Sequence, residues 1–258
     1  MHAGIGNAIA LAAILTAAAC AEGKGMKDTA GAGSARDAGN ISALLLLDEQ
    51  YGANFMIEDE TPSILEQLRG FGWNLTTAAH RPEIFPCAWG SRNAGQMPFK
   101  ADITLEDLGD PSEYDVVILL PGKFHGNLQS DPRVLDFLRR AAGRGIVIAA
   151  WCRAGLVLAK AGILEGVRVV CKPEHRAEYE AAGAVPVEAP SQAETPPPVS
   201  DRGIVTTLRS KFYRTAMCEE IRRTVEASVL RGLPPGTRRP TGGLQEKETP
   251  SFPRISSE

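Results

Sequence analysis

Short apolar runs alternate with longer segments of helical periodicity between residues 41 and 229. Residues 43–47, 115–120 and 145–150 are nearly continuous aliphatic runs, which are typical of strands buried on both faces of a parallel sheet. Segments with apolar residues three and four positions apart follow such runs, as in 131–143. This alternation predicts βαβ units, a mostly parallel sheet and helices on both of its faces.

One predicted strand is followed almost directly by a cysteine. The apolar run 146–150 is followed within two residues by Cys152, and a new helix is predicted from Ala154. The sulfur would then lie near the positive end of a helix, where the neighbouring Arg153 also favours the thiolate. Because Gly155 is small, backbone and substrate could approach closely. The pattern predicts a nucleophile elbow carrying Cys152, whereas the alternative is a buried structural cysteine.

The composition excludes several other classes of protein. The 258 residues include 28 basic and 31 acidic side chains, a near balance that gives no electrostatic footprint for nucleic acid. The five cysteines are too scattered for a disulfide scaffold, and none forms the CxxC pair of a zinc or redox site. We therefore expect no metal, no cofactor and no nucleic-acid partner.

Three segments of the chain carry the most specific motifs. They are 118–122 (ILLPG), 149–152 (AAWC) and 158–166 (LAKAGILEG). Together they resemble the ThiJ/PfpI family of the class I glutamine amidotransferase-like superfamily, and the similarity extends over 41–229. The resemblance implies a flavodoxin-like three-layer α/β/α sandwich, usually assembled as a homodimer. Family members have many activities, so the resemblance constrains the fold more than the substrate.

The resemblance also implies partners for the Cys152 sulfur. In the family, a carboxylic acid from the loop after the first strand lies beside the nucleophile as a proton carrier, and the matching residue is Glu60. Glu58 is a second candidate for this acid, and the alternative is that the acidic run 58–60 is only a solvated helix start. Backbone amides after Gly122, where Lys123 replaces a common glycine, and the amide of Arg153 would form an oxyanion site.

The position of a histidine base is left open by the sequence. Two places where family members carry histidine hold Arg153 and Lys172 in this chain. His175 and His125 are the histidines that could still reach the pocket, and an ordinary surface or capping role is the alternative for each. Without such a base, peptide hydrolysis is disfavoured, because an amide leaving group needs a proton.

Three functions remain compatible with these residues. The first is a Cys-dependent enzyme of the glyoxalase or deglycase type, which takes a small-molecule carbonyl substrate as a hemithioacetal on Cys152, with Glu60 as proton carrier. The second is a cysteine peptidase or amidase. The third is a non-enzymatic oxidation sensor or binding module, in which Cys152 is oxidised or vestigial. The first function needs the fewest catalytic groups.

The pattern of the first 20 residues predicts an export signal. Residues 8–19 are apolar apart from one threonine, the length of a signal-peptide core, and they precede Cys20, which a bacterial lipoprotein would carry as its lipidated residue. We predict a signal peptide or lipoprotein leader at 1–20 and a flexible tether at 21–40. The expected location is the periplasm or a membrane surface, reached through a lipid anchor, and a cytoplasmic protein with a flexible leader is the alternative.

The rest of the chain is predicted to form one domain and a tail. The ThiJ/PfpI-like domain is expected at 41–229, interrupted by a Pro-rich surface loop at 190–202. Residues 230–258 contain several prolines and charges without an apolar period, which is typical of a disordered tail.

Overall fold

Strands and helices alternate along the chain as the sequence predicts, with additional short elements between them. The computed structural model describes residues 41–56, 61–87, 98–122, 126–187, 197–208 and 210–232. The strands are β1 (Ser42–Leu47), β2 (Gln50–Tyr51), β3 (Asn74–Ala79), β4 (Glu83–Pro86), β5 (Phe99–Lys100), β6 (Ile103–Thr104), β7 (Val116–Leu119), β8 (Val147–Trp151), β9 (Arg168–Val170), β10 (Val185–Val187), β11 (Val199–Asp201) and β12 (Ile204–Thr207). The helices are α1 (Ala53–Met56), α2 (Ile64–Gly70), α3 (Gly126–Ser130), α4 (Pro132–Gly143), α5 (Gly155–Ala161), α6 (Arg176–Ala181) and α7 (Ser210–Gly232).

A seven-stranded sheet organises the described residues in the order β11-β12-β8-β7-β1-β3-β6. Each neighbouring pair in it is parallel except β11 and β12. The aliphatic run of β1 is buried on both faces: Leu45 and Leu47 enter one apolar cluster, and Leu44 and Leu46 enter the other. The continuous apolar runs are therefore the interior strands of a parallel sheet, as predicted.

Helices cover both faces of this sheet. On one face, α2 and α7 contribute Leu68 and Ile221 to the apolar cluster that contains Leu45. On the other face, α4 and α5 contribute Phe137 and Leu158 to the cluster that contains Leu44. The arrangement is the predicted three-layer α/β/α sandwich, in which the carboxyl ends of β1, β7 and β8 meet at one edge.

Helix boundaries follow from local capping groups. The Ser63 side chain accepts a hydrogen bond from the Glu66 amide at 3.1 Å and begins α2. Asp131 caps α4 in the same way through the Arg133 amide at 2.9 Å. Gly162, with φ 71°, ends α5 in the left-handed conformation that favours glycine. These caps fix where each helix begins or ends relative to the sheet.

The structure corrects the predicted Pro-rich loop at 190–202. Residues 190–196 lie outside the described residues, but Val199–Asp201 form the edge strand β11, which pairs antiparallel with β12. The intervening Arg202 and Gly203 both have positive φ, 49° and 80°, so the connection is a two-residue hairpin turn. The prolines exclude this segment from the centre of a sheet, but its last residues form a strand at the edge.

The predicted domain ends fall partly outside the described residues. Helix α7 continues to Gly232, three residues beyond the predicted domain end at 229. The predicted leader at 1–20, the tether at 21–40 and the tail from 233 onward lie outside the described residues. Within the part of the chain that the structure describes, no helix is both long enough and apolar enough to cross a membrane.

Candidate active site

Cys152 lies at a sharp bend between a strand and a helix. Strand β8 ends at the fully buried Trp151, and a single 3-10 turn, Cys152–Ala154, leads directly into α5. Cys152 has φ 51°, which places its backbone in the left-handed region. A residue with a Cβ atom is disfavoured there by about 1–2 kcal/mol, and such strain concentrates at functional sites. Cys152 is a free cysteine, and the residue is only partly buried.

The segment that follows β7 lies beside this bend. Leu119 of β7 is the register partner of Ala150 of β8, so Pro121 and Gly122 leave the sheet at the same edge as Cys152. Gly122 forms an antiparallel bridge with Tyr51. The amides predicted to bind an oxyanion after Gly122 lie outside the described residues.

A close contact fixes this segment to the loop after β1. The Gly52 amide donates to the Pro121 carbonyl oxygen at 2.6 Å. A Cβ atom at Gly52 would lie 2.8 Å from that oxygen, so only glycine fits without a shift. The loop after β1 therefore restrains the backbone of Pro121 at the end of this strand.

Asp48 is a buried carboxylate at the same edge that the sequence analysis did not identify. It is only 2% exposed and accepts hydrogen bonds from the Glu49 amide at 2.7 Å, Asn127 Nδ2 at 2.7 Å and the Leu128 amide at 3.2 Å. It thereby connects the end of β1 to the start of α3. The signal that could have revealed it is an acidic residue directly after a strand with no exposed face.

His175 follows β9, a strand that pairs with β10 in a separate two-stranded sheet, and is oriented by a carboxylate. It ends the 3-10 turn Pro173–His175 between β9 and α6. Its Nδ1 lies 3.0 Å from Glu178 Oε1, and its Nε2 is buried without a hydrogen-bond partner among the described residues. The Glu178 carboxylate thus fixes the orientation of the imidazole.

Hydrogen bonding across β12 brings β9 towards the nucleophile strand. The Val170 amide donates to Thr206 Oγ1 at 2.9 Å, and Thr206 is the register partner of Ala150 on β8. Strand β9 pairs with β10 in a separate two-stranded sheet, and this hydrogen bond holds the end of β9 against β12, the neighbour of β8. Lys172, at one of the family's histidine positions, forms an ion pair with Glu174 at 3.1 Å.

The remaining predicted site residues divide into two groups. Arg153 lies within the bend itself, in the turn that joins β8 to α5. Glu60, Lys123, His125 and Cys20 lie outside the described residues. Among the described residues, no group of three or more His, Cys, Asp or Glu side chains is arranged to hold a metal ion.

Tyr179 of α6 is a second buried residue near Cys152 that the sequence did not reveal. Only 2% of it is exposed, and it packs in the apolar cluster that contains Ala154. Burial is the main cause that raises the pKa of its phenol, and the nearby Cys171 and Cys152 side chains would raise this pKa further when ionised. No sequence signal indicated this position, because Tyr179 stands alone in a charged segment.

Comparison with known proteins identifies the family. The model of the DJ-1/PfpI family matches residues 52–221 of this chain. The chain belongs to the DJ-1/PfpI family. This result confirms the resemblance inferred from the segments around Pro121-Gly122 and Cys152.

Two curated relatives match shorter regions of the chain. Protein DJ-1alpha of Drosophila melanogaster is 38% identical over 81 residues, which are 31% of this chain and 37% of that protein. Isonitrile hydratase of Pseudomonas putida is 32% identical over 92 residues, 36% of this chain and 39% of that protein. The matched regions thus span less than two-fifths of either relative.

Solved structures match a larger part of the chain. Drosophila melanogaster DJ-1beta superposes with a TM-score of 0.55 at 25% identity and covers 75% of this chain and 97% of its own. A two-domain protein from Anabaena variabilis with DJ-1/ThiJ/PfpI-like and ferritin-like domains gives a TM-score of 0.58 at 18% identity, over 71% of this chain and 48% of its own. These similarities confirm the flavodoxin-like sandwich.

Proposed function

We propose that this protein is a Cys152-dependent enzyme of the glyoxalase or deglycase type, which acts on small reactive carbonyl compounds. The observation that carries the proposal is the partly exposed thiol of Cys152 at a bend with φ 51°. A strained backbone that presents a free thiol at the carboxyl edge of a parallel sheet is suited to nucleophilic attack. Membership of a family with several activities does not by itself select the substrate.

The proposed reaction on methylglyoxal begins with addition to the aldehyde. The Cys152 thiolate forms a bond to the aldehyde carbon, and the carbonyl electron pair moves to oxygen. Backbone amides of Arg153 and of the segment after Gly122 would donate hydrogen bonds to that oxygen. Glu60 would then carry the proton from the aldehyde carbon to the neighbouring carbon. The hemithioacetal thereby becomes a thioester, which water hydrolyses to lactate and the free thiol.

The experiment measures lactate formation from methylglyoxal by nuclear magnetic resonance. Cys152→Ser should abolish product formation, and Glu60→Gln should lower the rate by about 10²–10⁴-fold if the carboxyl carries the proton. Cys218→Ala is the matched control, because Cys218 is fully buried in the core on α7 and should leave turnover intact. Undiminished lactate formation by Cys152→Ser would rule out the proposal.

A second candidate is a hydrolase or hydratase that acts on a nitrogen-containing substrate. It is favoured by the His175–Glu178 contact at 3.0 Å, because cleavage of an amide requires a proton donor. The similarity to isonitrile hydratase points in the same direction. His175→Gln separates the two functions: it should abolish hydrolysis of an amide or hydration of an isonitrile, but change methylglyoxal turnover by no more than about threefold if Glu60 is the proton carrier.

A further inference from the structure

Two buried polar side chains lie on adjacent strands where β8 and β12 end. Trp151 and Thr207 are the last residues of these strands and are register partners in the parallel pair. Trp151 has no exposed surface, and Thr207 is 1% exposed. Neither Trp151 Nε1 nor Thr207 Oγ1 has a hydrogen-bond partner among the described residues. Because nearly all buried polar groups in native proteins are hydrogen-bonded, two such atoms on paired residues require an explanation.

Both side chains lie on the face of the sheet that α7 covers. Trp151 and Val205 belong to the same apolar cluster, to which α7 contributes Met217 and Ile221. Side chains two positions apart on a strand lie on the same face, so Thr207 shares the face of Val205. The indole N–H and the hydroxyl are therefore enclosed between the sheet and α7, away from bulk solvent.

The start of α7 makes this end of the enclosed layer polar. Arg214 is only 2% exposed and lies four positions before Cys218, which is fully buried in the same cluster as Trp151. Residues four apart share a helix face, so Arg214 is on the side of α7 that faces the sheet. Helix α7 begins three positions after Thr207, so Arg214 lies towards the end at which β8 and β12 finish. Such surroundings favour a polar occupant over an apolar one.

The neighbouring Thr206 shows what the protein itself supplies on the other face. Its Oγ1 accepts a hydrogen bond from the Val170 amide at 2.9 Å, and the residue is as deeply buried as Thr207. A valine would fill the position of Thr207 with nearly the same shape and without a polar atom. A hydroxyl that is buried without a hydrogen bond is unfavourable, so its retention at 207 indicates a partner that is not a protein group.

We infer that Trp151 and Thr207 form the binding site of one buried water molecule, which joins the ends of β8 and β12. Indole can only donate, whereas a hydroxyl both donates and accepts. A water molecule accepts from Trp151 Nε1 and forms its second bond with Thr207 Oγ1, so one molecule satisfies both atoms. Because Trp151 directly precedes Cys152, the water also restrains the strand end from which the nucleophile bend starts. The inference does not depend on the proposed function.

The first test is a crystal structure of the unaltered protein at a resolution that shows ordered water. We expect density for a single water molecule within about 3.2 Å of both Trp151 Nε1 and Thr207 Oγ1. Density for a larger molecule, a water bonded to only one of the two atoms, or side chains packed with no density between them would each overturn the inference.

The second test uses the direction in which Thr207→Val moves the midpoint of urea denaturation. If the hydroxyl binds the water, valine removes a hydrogen bond and the midpoint should fall. If the hydroxyl is unbonded in the folded state, valine removes an unfavourable polar group and the midpoint should rise. A rise or no change would therefore overturn the inference.

Thr206→Val is the matched control, because it makes the same chemical change one residue away on the same strand. It removes the acceptor of the Val170 amide, so its midpoint should fall and shows the size of the effect when a real hydrogen bond is lost. Circular dichroism checks that both variants are folded. The crystallographic result does not require either variant, so it decides the inference even if one of them fails to fold.

Discussion

At Cys152 the backbone adopts a conformation that is uncommon for a residue with a side chain. Its φ of 51° is imposed by β8 on one side and the 3-10 turn before α5 on the other, and both are held by buried residues. Glycine occupies this region without steric penalty. The cysteine is therefore retained at a position where another residue would be more stable, which is expected of a residue with a chemical role.

Replacement of Cys152 should reveal this strain. Cys152→Gly should have a free energy of unfolding about 1 kcal/mol higher than Cys152→Ala, because only the alanine variant keeps a Cβ atom at φ 51°. Urea denaturation measures the difference. The matched pair is Cys171→Gly and Cys171→Ala, where φ is not positive and alanine should be the more stable residue. The same order at both sites would contradict strain at Cys152.

Asp48 is expected to stabilise the fold as well as the site. Asp48→Ala would leave the Glu49 amide, the Leu128 amide and the Asn127 side chain without their shared acceptor, which should lower the free energy of unfolding by about 2–4 kcal/mol. The control is Asp136→Ala, because its pair with Arg140 is exposed and should contribute less than about 1 kcal/mol. Equal effects of the two changes would contradict a special role for Asp48.

At the scale of elements, the local pattern of apolar residues was sufficient to predict the interior strands. The aliphatic runs of β1, β7 and β8 identify buried parallel strands because no other element of that length avoids polar residues so completely. Strands β2 and β5 have only two residues each, which is too short for an alternation of apolar and polar residues to predict a strand. They exist because neighbouring chain segments pair with them, which a local pattern cannot show.

The same distinction applies to the candidate site. The junction at Cys152 was predictable because strand, thiol and helix are consecutive in sequence. Asp48 and Tyr179 contact residues that are distant along the chain: Asp48 is hydrogen-bonded to Asn127, 79 positions away. These contacts follow from the tertiary arrangement, in which the end of β1 meets α3 and α6 meets α5.

The β11–β12 hairpin turn is an element whose sequence is not optimal for its geometry. Arg202 has φ 49° and Gly203 has φ 80°, a pair of positive values that favours Asn-Gly. Arg202→Asn should therefore be more stable than Arg202→Ala by about 0.5–1 kcal/mol in urea denaturation, since both lose the same guanidinium group. An asparagine variant no more stable than the alanine variant would show that the turn does not limit stability.

At the scale of the whole molecule, buried weak acids should make the fold sensitive to alkali. Burial raises the pKa of Cys218 from its ordinary value of 9.0 to about 12, and it also raises the pKa values of Cys171 and Tyr179. The folded state thus holds these protons more tightly than the unfolded state. Their contribution to stability is complete below the unfolded pKa values and is lost as the pH rises towards the folded values.

Urea denaturation at pH 7.5, 9 and 10.5 should show this loss. Cys218 alone contributes a fall of about 1.4 kcal/mol per pH unit between its two pKa values. Cys218→Ala removes that group, so its free energy of unfolding should fall less steeply over the same range. Parallel pH dependences in the two proteins would contradict the raised pKa of Cys218.

The left-handed bend at Cys152 is set by its flanking elements, so the direction in which its side chain leaves the sheet does not depend on sulfur. Selenocysteine at this position, or a sulfinic acid formed by overoxidation, would be presented with the same orientation. The backbone therefore fixes the direction of the side chain at position 152, whereas the atom at its end fixes the reactivity. That atom can be changed without changing the fold.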